Sequence, residues 1–431
     1  MYTLRKVLLV FGVVLSMACY DASRLSAAPS YELKAAFVRG GDLWMKNGDK
    51  ETPLTKGEQI RNPKWSSNGR WIAHTRGQDE QELWVIDIQT GESILVSADG
   101  GGRGHFAWAP GSTLLAFQSE QRLYWVDLLK PERVVEAAVG IDNFSWYPDG
   151  QGFLASSETD RIPPDSWSPV RILKIPLNKP GDPSAVETLF VLPLPSDKFF
   201  AVGTSIFKWS ADGRWIAFLA TPTASLSADG NYLCLLSADG QSFQSIDQMA
   251  NNELWFNWSP QGTKLAYIGG VGREATSNKR LMVTELPSAA GTAPVTWIKP
   301  ISYTPTGYVD QNFTWQGNRH IVVSRAQELQ QWSSDPASRP FPSLVNVNLG
   351  NRRHQQLTEP SKTYGDYQPL AVPIQRLIWV RSDRQKASVM FAAPNPAYSK
   401  VWIAGIDLGT NFYEQWNWNP VLSVYEPVGF K

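Results

Sequence analysis

A serine hydrolase needs its nucleophile on a sharp strand-to-helix elbow, Gly-x-Ser-x-Gly, with Asp and His supplied further along the chain. The sequence holds only halves of that motif: Gly91-Glu-Ser93 and Gly203-Thr-Ser205 each lack the second glycine. The four histidines are His74, His105, His320 and His354, and no two have the close spacing that puts a pair of imidazoles on one metal. Calcium loops place oxygen ligands at alternating positions, whereas Asp149-Gly150, Asp212-Gly213 and Asp229-Gly230 read as tight turns. Gly100-Gly-Gly-Arg-Gly104 leads into an apolar strand pattern instead of a helix, so it does not cradle phosphate. These residues predict no catalytic set, no metal and no cofactor, and the expectation is a protein that is not an enzyme. Carboxylates converging from distant parts of the chain would leave no such mark, so an enzyme or small-ligand site built that way stays open.

The other side chains able to do chemistry are aromatic. Nineteen tryptophans could stack on sugars, but six of them recur in one place of one phrase. The phrase reads Trp65-Ser-Ser-Asn-Gly-Arg-Trp-Ile-Ala73, Trp209-Ser-Ala-Asp-Gly-Arg-Trp-Ile-Ala217 and Trp258-Ser-Pro-Gln-Gly-Thr-Lys-Leu-Ala266, with looser copies from Trp108, Trp146 and Trp315. Asn-Gly and Asp-Gly tolerate the positive φ that a two-residue hairpin requires, so each phrase is an aromatic anchor, a turn and a strand. Apolar runs and turn residues extend the unit to four strands: 62–65, 70–75, 82–87 and 93–97 in the clearest copy. Capped helical periodicity of any length is missing.

Self-similarity at this period means one unit copied around a ring. A degenerate further copy begins at Gln368-Pro-Leu-Ala371. Anchors from position 65 to 371 are spaced about 51 residues apart, which divides the mature chain into about eight units. Upstream, Ala35–Val38, Asp42–Met45 and Thr52–Thr55 look like second, third and fourth strands lacking a first. The stretch Trp416-Asn-Trp-Asn-Pro-Val-Leu422 could supply it, closing the ring with strands from both ends. The expected fold is an all-β propeller of four-stranded antiparallel blades, eight in number, with seven or six as the lesser counts. The six anchors then belong to packing between blades.

The phrase Trp-Ser-x-Asp-Gly-Arg-x-Ile-Ala, followed by Leu-Trp-Val-x-Asp and by Leu-Thr endings (Leu54-Thr55, Leu357-Thr358), resembles the TolB-type, WD40-like propeller repeat. That repeat also builds the propellers of prolyl oligopeptidase-type peptidases. The resemblance implies a propeller across 29–431, without the small α/β domain of TolB and without a peptidase domain. It leaves function open, because function does not follow from fold.

Composition narrows the function classes. Forty basic and forty acidic residues cancel, so no overall field draws nucleic acid or anionic lipid. Arg5 and Lys6 followed by an apolar run over 7–18 and small residues at 26–28 read as a secretion signal over 1–28. Cys19 follows Leu15-Ser16-Met17-Ala18, an imperfect lipoprotein signal that would make Cys19 a lipidation site. No other stretch suits a membrane. Cys234, within Tyr-Leu-Cys-Leu-Leu, reads as an inert buried thiol. The expectation is an exported, monomeric protein, periplasmic, envelope-associated or extracellular.

First-to-second strand turns are uniformly tight, whereas connections at 157–169, 221–230, 269–278, 326–342 and 382–399 are long. Read as second-to-third connections, they gather on one face, and such insertions mark a binding face in repeat proteins. Lengthening a surface loop costs little, so drift is the competing explanation. The candidate binding residues there are Arg161, Asp165, Trp167, Trp332, Arg339, Phe341 and Tyr398, a mixture of charge and exposed aromatics. The function expected is a protein- or peptide-binding or scaffold module of the bacterial cell envelope. A carbohydrate or other small ligand at the channel mouth is the alternative.

Overall fold

The repeated phrase folds as a hairpin closed by its own side chains. In the computed structural model, Ser66 Oγ accepts the Trp71 N–H at 2.9 Å and donates to Asn68 Oδ1 at 2.9 Å. Asn68 Oδ1 in turn accepts the Arg70 N–H at 3.0 Å. Gly69 sits at φ 67°, and a Cβ there would meet the Tyr425 ring at 2.7 Å. Ser210, Asp212 and Gly213 repeat the arrangement, with Ser210 Oγ to Asp212 Oδ1 at 2.6 Å. Serine, Asn or Asp, and glycine therefore recur because each satisfies the same turn.

The structure describes residues 32–101, 105–163, 166–223, 230–286, 296–373, 375–393 and 398–427. The leader and Cys19 lie outside them, as does Asp165. Eight sheets of sequential antiparallel strands follow one another. Blade 1 is Lys34–Arg39, Asp42–Asn47 and Lys50–Pro53, completed by Leu422–Val424. Blade 2 is Ile60–Trp65, Trp71–Arg76, Glu82–Asp87 and Ser93–Ser97. The first strands of blades 3, 4, 6, 7 and 8 are Phe106–Trp108, Ile141–Trp146, Phe256–Trp258, Tyr308–Gln316 and Gly365–Val372. In blade 5 the first strand is broken into Gly203–Thr204 and Lys208–Trp209. Among the described residues, helical structure is confined to short 3₁₀ turns such as Glu253–Trp255.

Closure differs slightly from expectation. The strand that pairs with Lys34–Arg39 is Leu422–Val424, at the end of the anticipated stretch. Trp416 belongs instead to a separate hairpin, Thr410–Phe412 with Gln415–Asn417. Blade 8 also differs. Its second strand ends at Ser382 and its third begins at Ala387, so the second-to-third connection is the tight turn 383–386. There Asp383 Oδ1 accepts the N–H groups of Gln385 and Lys386. The stretch 393–399 is therefore a third-to-fourth connection.

Second strands are buried on both faces rather than alternately, and Gly152–Ser157 and Trp215–Thr221 are buried at every position. Each lies between its own blade's neighbours and the two adjacent blades, so both of its faces are core. The apolar clusters accordingly fall at successive seams. Trp71, Leu83 and Phe117 pack together, then Phe144 and Phe153, then Phe207 and Phe218, and then Trp258, Tyr267 and Trp315. Cys234 is among these core residues, and burial pushes its thiol pKa up.

Candidate functional site

First strands bond to one another around the centre, and the bonds follow one rule. Every anchor indole except that of Trp209 donates to a carbonyl of the preceding first strand, in four cases that of the residue just before the previous blade's anchor. Trp108 Nε1 donates to Lys64 O at 2.9 Å, Trp146 to Ala107 O at 2.9 Å, Trp258 to Lys208 O at 2.7 Å and Trp315 to Asn257 O at 3.2 Å. Trp65 donates to Ser423 O at 3.1 Å and so ties the closing strand in. The pre-anchor side chain often reaches forward in return. Lys64 Nζ donates to Phe106 O at 2.7 Å and lies 4.2 Å from the centre of that ring. Lys208 Nζ donates to Glu253 O at 2.6 Å and Phe256 O at 2.8 Å, 4.4 Å from the Phe256 ring centre. The anchors are inter-blade packing, as expected.

The channel waist is where titratable groups from different blades approach. Burial lowers the Lys64 pKa to about 8, partly opposed by Glu253, which comes from the connection into blade 6. Burial, then the Lys64 charge, lowers His105 to about 3. The other histidines are occupied: His74 is buried and held down to about 4, and His354 Nδ1 faces an Arg325 guanidinium N–H at 3.0 Å. His320 lies between Asn346 Oδ1 and Asn348 Nδ2, each at 3.3 Å. Ser205, the serine of one half-motif, is buried, accepts the Leu219 N–H and donates to Ile206 O. Among the described residues, no three His, Cys, Asp or Glu side chains group as a metal site.

On the face of the first-to-second turns the channel opens into a cup of about 870 Å³. Its wall comes from blades 5 to 8 and from Glu426 and Pro427 of the tail. Asn257, Gln316, Gln375, His320 and Arg376 supply polar groups, and Leu370 and Val372 supply apolar wall. The cup was not legible in the sequence, because the anchors and turns that line it are the repeat itself.

The opposite end is closed. The hairpin Thr410–Phe412/Gln415–Asn417 crosses to it from blade 8 and returns to the closing strand. Asn252 Nδ2 donates to Gln415 Oε1, Gln415 Nε2 to Arg273 O, and Asn312 Nδ2 to Trp416 O, so blades 6 and 7 and the connection leading into blade 6 all hold it. Glu414 at its tip is 2% exposed, with Arg339 Nη1 at 2.8 Å and Arg384 Nε at 3.0 Å.

The candidate binding residues therefore fall into three groups. Trp332, Arg339 and Phe341 surround the hairpin: Arg339 stacks 4.1 Å from the Trp332 ring centre, Arg384 stacks 3.9 Å from Phe341, and Trp332 packs on Tyr413. Arg161 and Trp167 face each other across a short pair of strands on the same face, Arg161 exposed and Trp167 half-buried. Tyr398 is 83% exposed but lies in the third-to-fourth connection of blade 8, on the cup side. Connections 177–186 and 286–300 also emerge on that side, so the long connections are shared between the faces.

The order of eight sheets and their closure decide the architecture. The chain is an eight-bladed β-propeller. No protein-family model matches it, and no curated protein matches it. Solved structures do. A puromycin-hydrolysing peptidase of Mycobacterium tuberculosis is 15% identical with a TM-score of 0.51, the match covering 82% of this chain and 55% of that one. A prolyl endopeptidase structure is 13% identical with a TM-score of 0.50, covering 82% of this chain and 50% of that one. TolB from Acinetobacter baumannii matches at 17% identity and a TM-score of 0.38, covering 59% of this chain and 61% of that one. This propeller thus spans about half the length of the peptidases it matches. The likeness to the peptidase propellers is one of fold. Among the described residues, no helix is long and apolar enough to cross a membrane.

Proposed function

We propose that the protein is an exported, non-catalytic propeller of the bacterial cell envelope that binds a protein or peptide segment in the cup. The observation behind this reading is the cup's chemistry. A volume of about 870 Å³ suits a ligand or a short stretch of chain. Asn257, Gln316 and Gln375 carry amides that both donate and accept, as a peptide backbone does. Proton transfer is poorly served there, since the His320 ring is held by two asparagines. Sugar stacking is poorly served too: Trp258 and Trp315 are buried in the seams, and the half-buried Trp209 is packed edge-on by Tyr147.

A second reading places the partner on the long-loop face, and the exposed Arg161 and Ile162 beside the half-buried Trp167 favour it. An enzyme or small-ligand site at the waist would use Lys64, His105 and Glu253, but the Lys64 ammonium is engaged by the Phe106 carbonyl. Photo-crosslinking separates the readings. A benzophenone side chain replacing Gln375 should capture a partner in envelope-bearing cells, and one replacing Arg161 should not. Capture from position 161 alone moves the site to the long-loop face. Capture from neither overturns the binding reading.

A further inference from the structure

The plugged end of the channel is built as a site. Besides Glu414, Arg339 and Arg384 are both held by carbonyls of the connection between Gln327 and Ser343. Arg339 donates to Ser333 O at 2.9 Å and Ser334 O at 3.0 Å. Arg384 donates to Pro336 O at 2.7 Å and Pro340 O at 3.2 Å, and each guanidinium lies on an aromatic ring. Two cations thus converge on one carboxylate, Glu414, in a place almost closed to water, and Arg273 stacks 5.5 Å from the neighbouring Tyr413 ring. Withdrawing Glu414 would leave two buried guanidiniums uncompensated, a state that strongly attracts another anion.

The occupant, by contrast, is poorly made for its own shape. Its ladder has three residue pairs, too few to persist alone. Its turn residues, Tyr413 at φ 50° and Glu414 at φ 66°, both lie in the left-handed region that hairpins normally give to Gly or Asn. The socket therefore imposes the turn: the Ala275 N–H holds Tyr413 O at 2.9 Å, and Trp332 packs on the Tyr413 ring. Ring closure does not depend on this segment, since Leu422–Val424 pairs with Lys34–Arg39 beyond it.

We propose that the long-loop end of the channel is a recognition site for a carboxylate presented on an aromatic-flanked turn. The chain's own residues 410–417 fill it as a tethered stand-in, and a partner segment of the same chemistry takes it by displacing them. Tethering gives the stand-in an effective concentration near the millimolar range, so a partner must either bind more tightly or meet a loosened hairpin. This site is separate from the cup and stands or falls independently of it.

The test uses the full chain with Glu414→Gln and a fluorescent cyclic peptide carrying residues 409–418, beside the same peptide with Gln in place of the glutamate. In the variant, amide exchange over 409–418 should rise at least tenfold, while the blade strands keep wild-type protection. The Glu peptide should bind the variant at least tenfold more tightly than the Gln peptide, and the wild-type chain should bind both weakly. Unchanged exchange over 409–418, or equal affinity for the two peptides, overturns the proposal. If Glu414→Gln does not fold, Glu414→Asp, which keeps the charge and shortens its reach, should give the same ordering with smaller shifts. Wild-type protection there would equally overturn it.

Discussion

The seam between blades 5 and 6 and the seam between blades 4 and 5 use the same sequence phrase and make different joints. At the first, Trp258 donates to Lys208 O, and Lys208 reaches forward to two carbonyls, Phe256 O of the next blade and Glu253 O of the connection into it. At the second, the first strand is broken at residues 205–207. Among the described residues the Trp209 indole N–H then has no partner. Ser145 Oγ accepting the Phe207 N–H at 2.8 Å is what remains of the forward bond, and Tyr147 packs edge-on against Trp209 at 5.6 Å. An anchor tryptophan thus guarantees packing, whereas the hydrogen bond requires an unbroken strand to hold the indole in register.

The difference can be tested most severely at the pre-anchor residue. Lys208→Met should destabilise the fold by about 3 kcal/mol, because it removes charged bonds to two carbonyls and leaves them buried, whereas Ser145→Ala should cost about 1 kcal/mol. Urea midpoints of the two variants report this, and equal shifts would erase the distinction between the seams.

The seams should also answer pH with opposite signs. His105 leads into the first strand of blade 3 and packs edge-on against Phe144 of blade 4, and its folded pKa lies below its unfolded value. Its contribution is present above pH 6.5 and is lost as pH falls toward about 3. Between pH 6.5 and 5.5 the wild type should lose about 1 kcal/mol relative to His105→Gln. Asp142, at the 4–5 seam, is raised by burial, against which the Thr204 N–H and Ser156 hydroxyl pull. Its contribution is present at low pH and is lost as pH rises through the folded value. Wild type should therefore gain on Asp142→Asn as the solution is acidified. Stability curves of the same sign for both variants would remove the contrast.

The finest test compares Trp258→Phe with Trp209→Phe. Both lose similar volume, but only the first strands a buried carbonyl, so it should cost about 1 kcal/mol more. An equal cost would mean that the indole bond adds nothing to packing.

These joints also explain what the sequence made legible. Blade number and turns were readable because Ser, Asp or Asn, and Gly satisfy one local hydrogen-bond pattern each time it occurs. Blade 8 lacks the anchor, having Leu370-Ala371 at that position, and without it the turn at Asp383 was merged with the later connection. Trp332, Arg339 and Phe341 were identifiable as unusual but not as neighbours of Glu414, since nothing local ties residue 339 to residue 414. The cup was illegible for the opposite reason: its lining is ordinary scaffold, and only curvature turns it into a concavity.

Ring closure has a consequence for how the molecule is made. Seven blades can each assemble from a contiguous stretch of nascent chain. Blade 1 cannot, because Lys34–Arg39 waits for Leu422–Val424, which follows all seven other blades in the chain. Throughout synthesis the first sheet offers an unpaired apolar edge, a template on which another chain could add. Such a distant pairing is intrinsically slow to form. The step most exposed to error is thus ring closure, and a cell producing this protein has to shield the Lys34–Arg39 edge until Leu422–Val424 arrives.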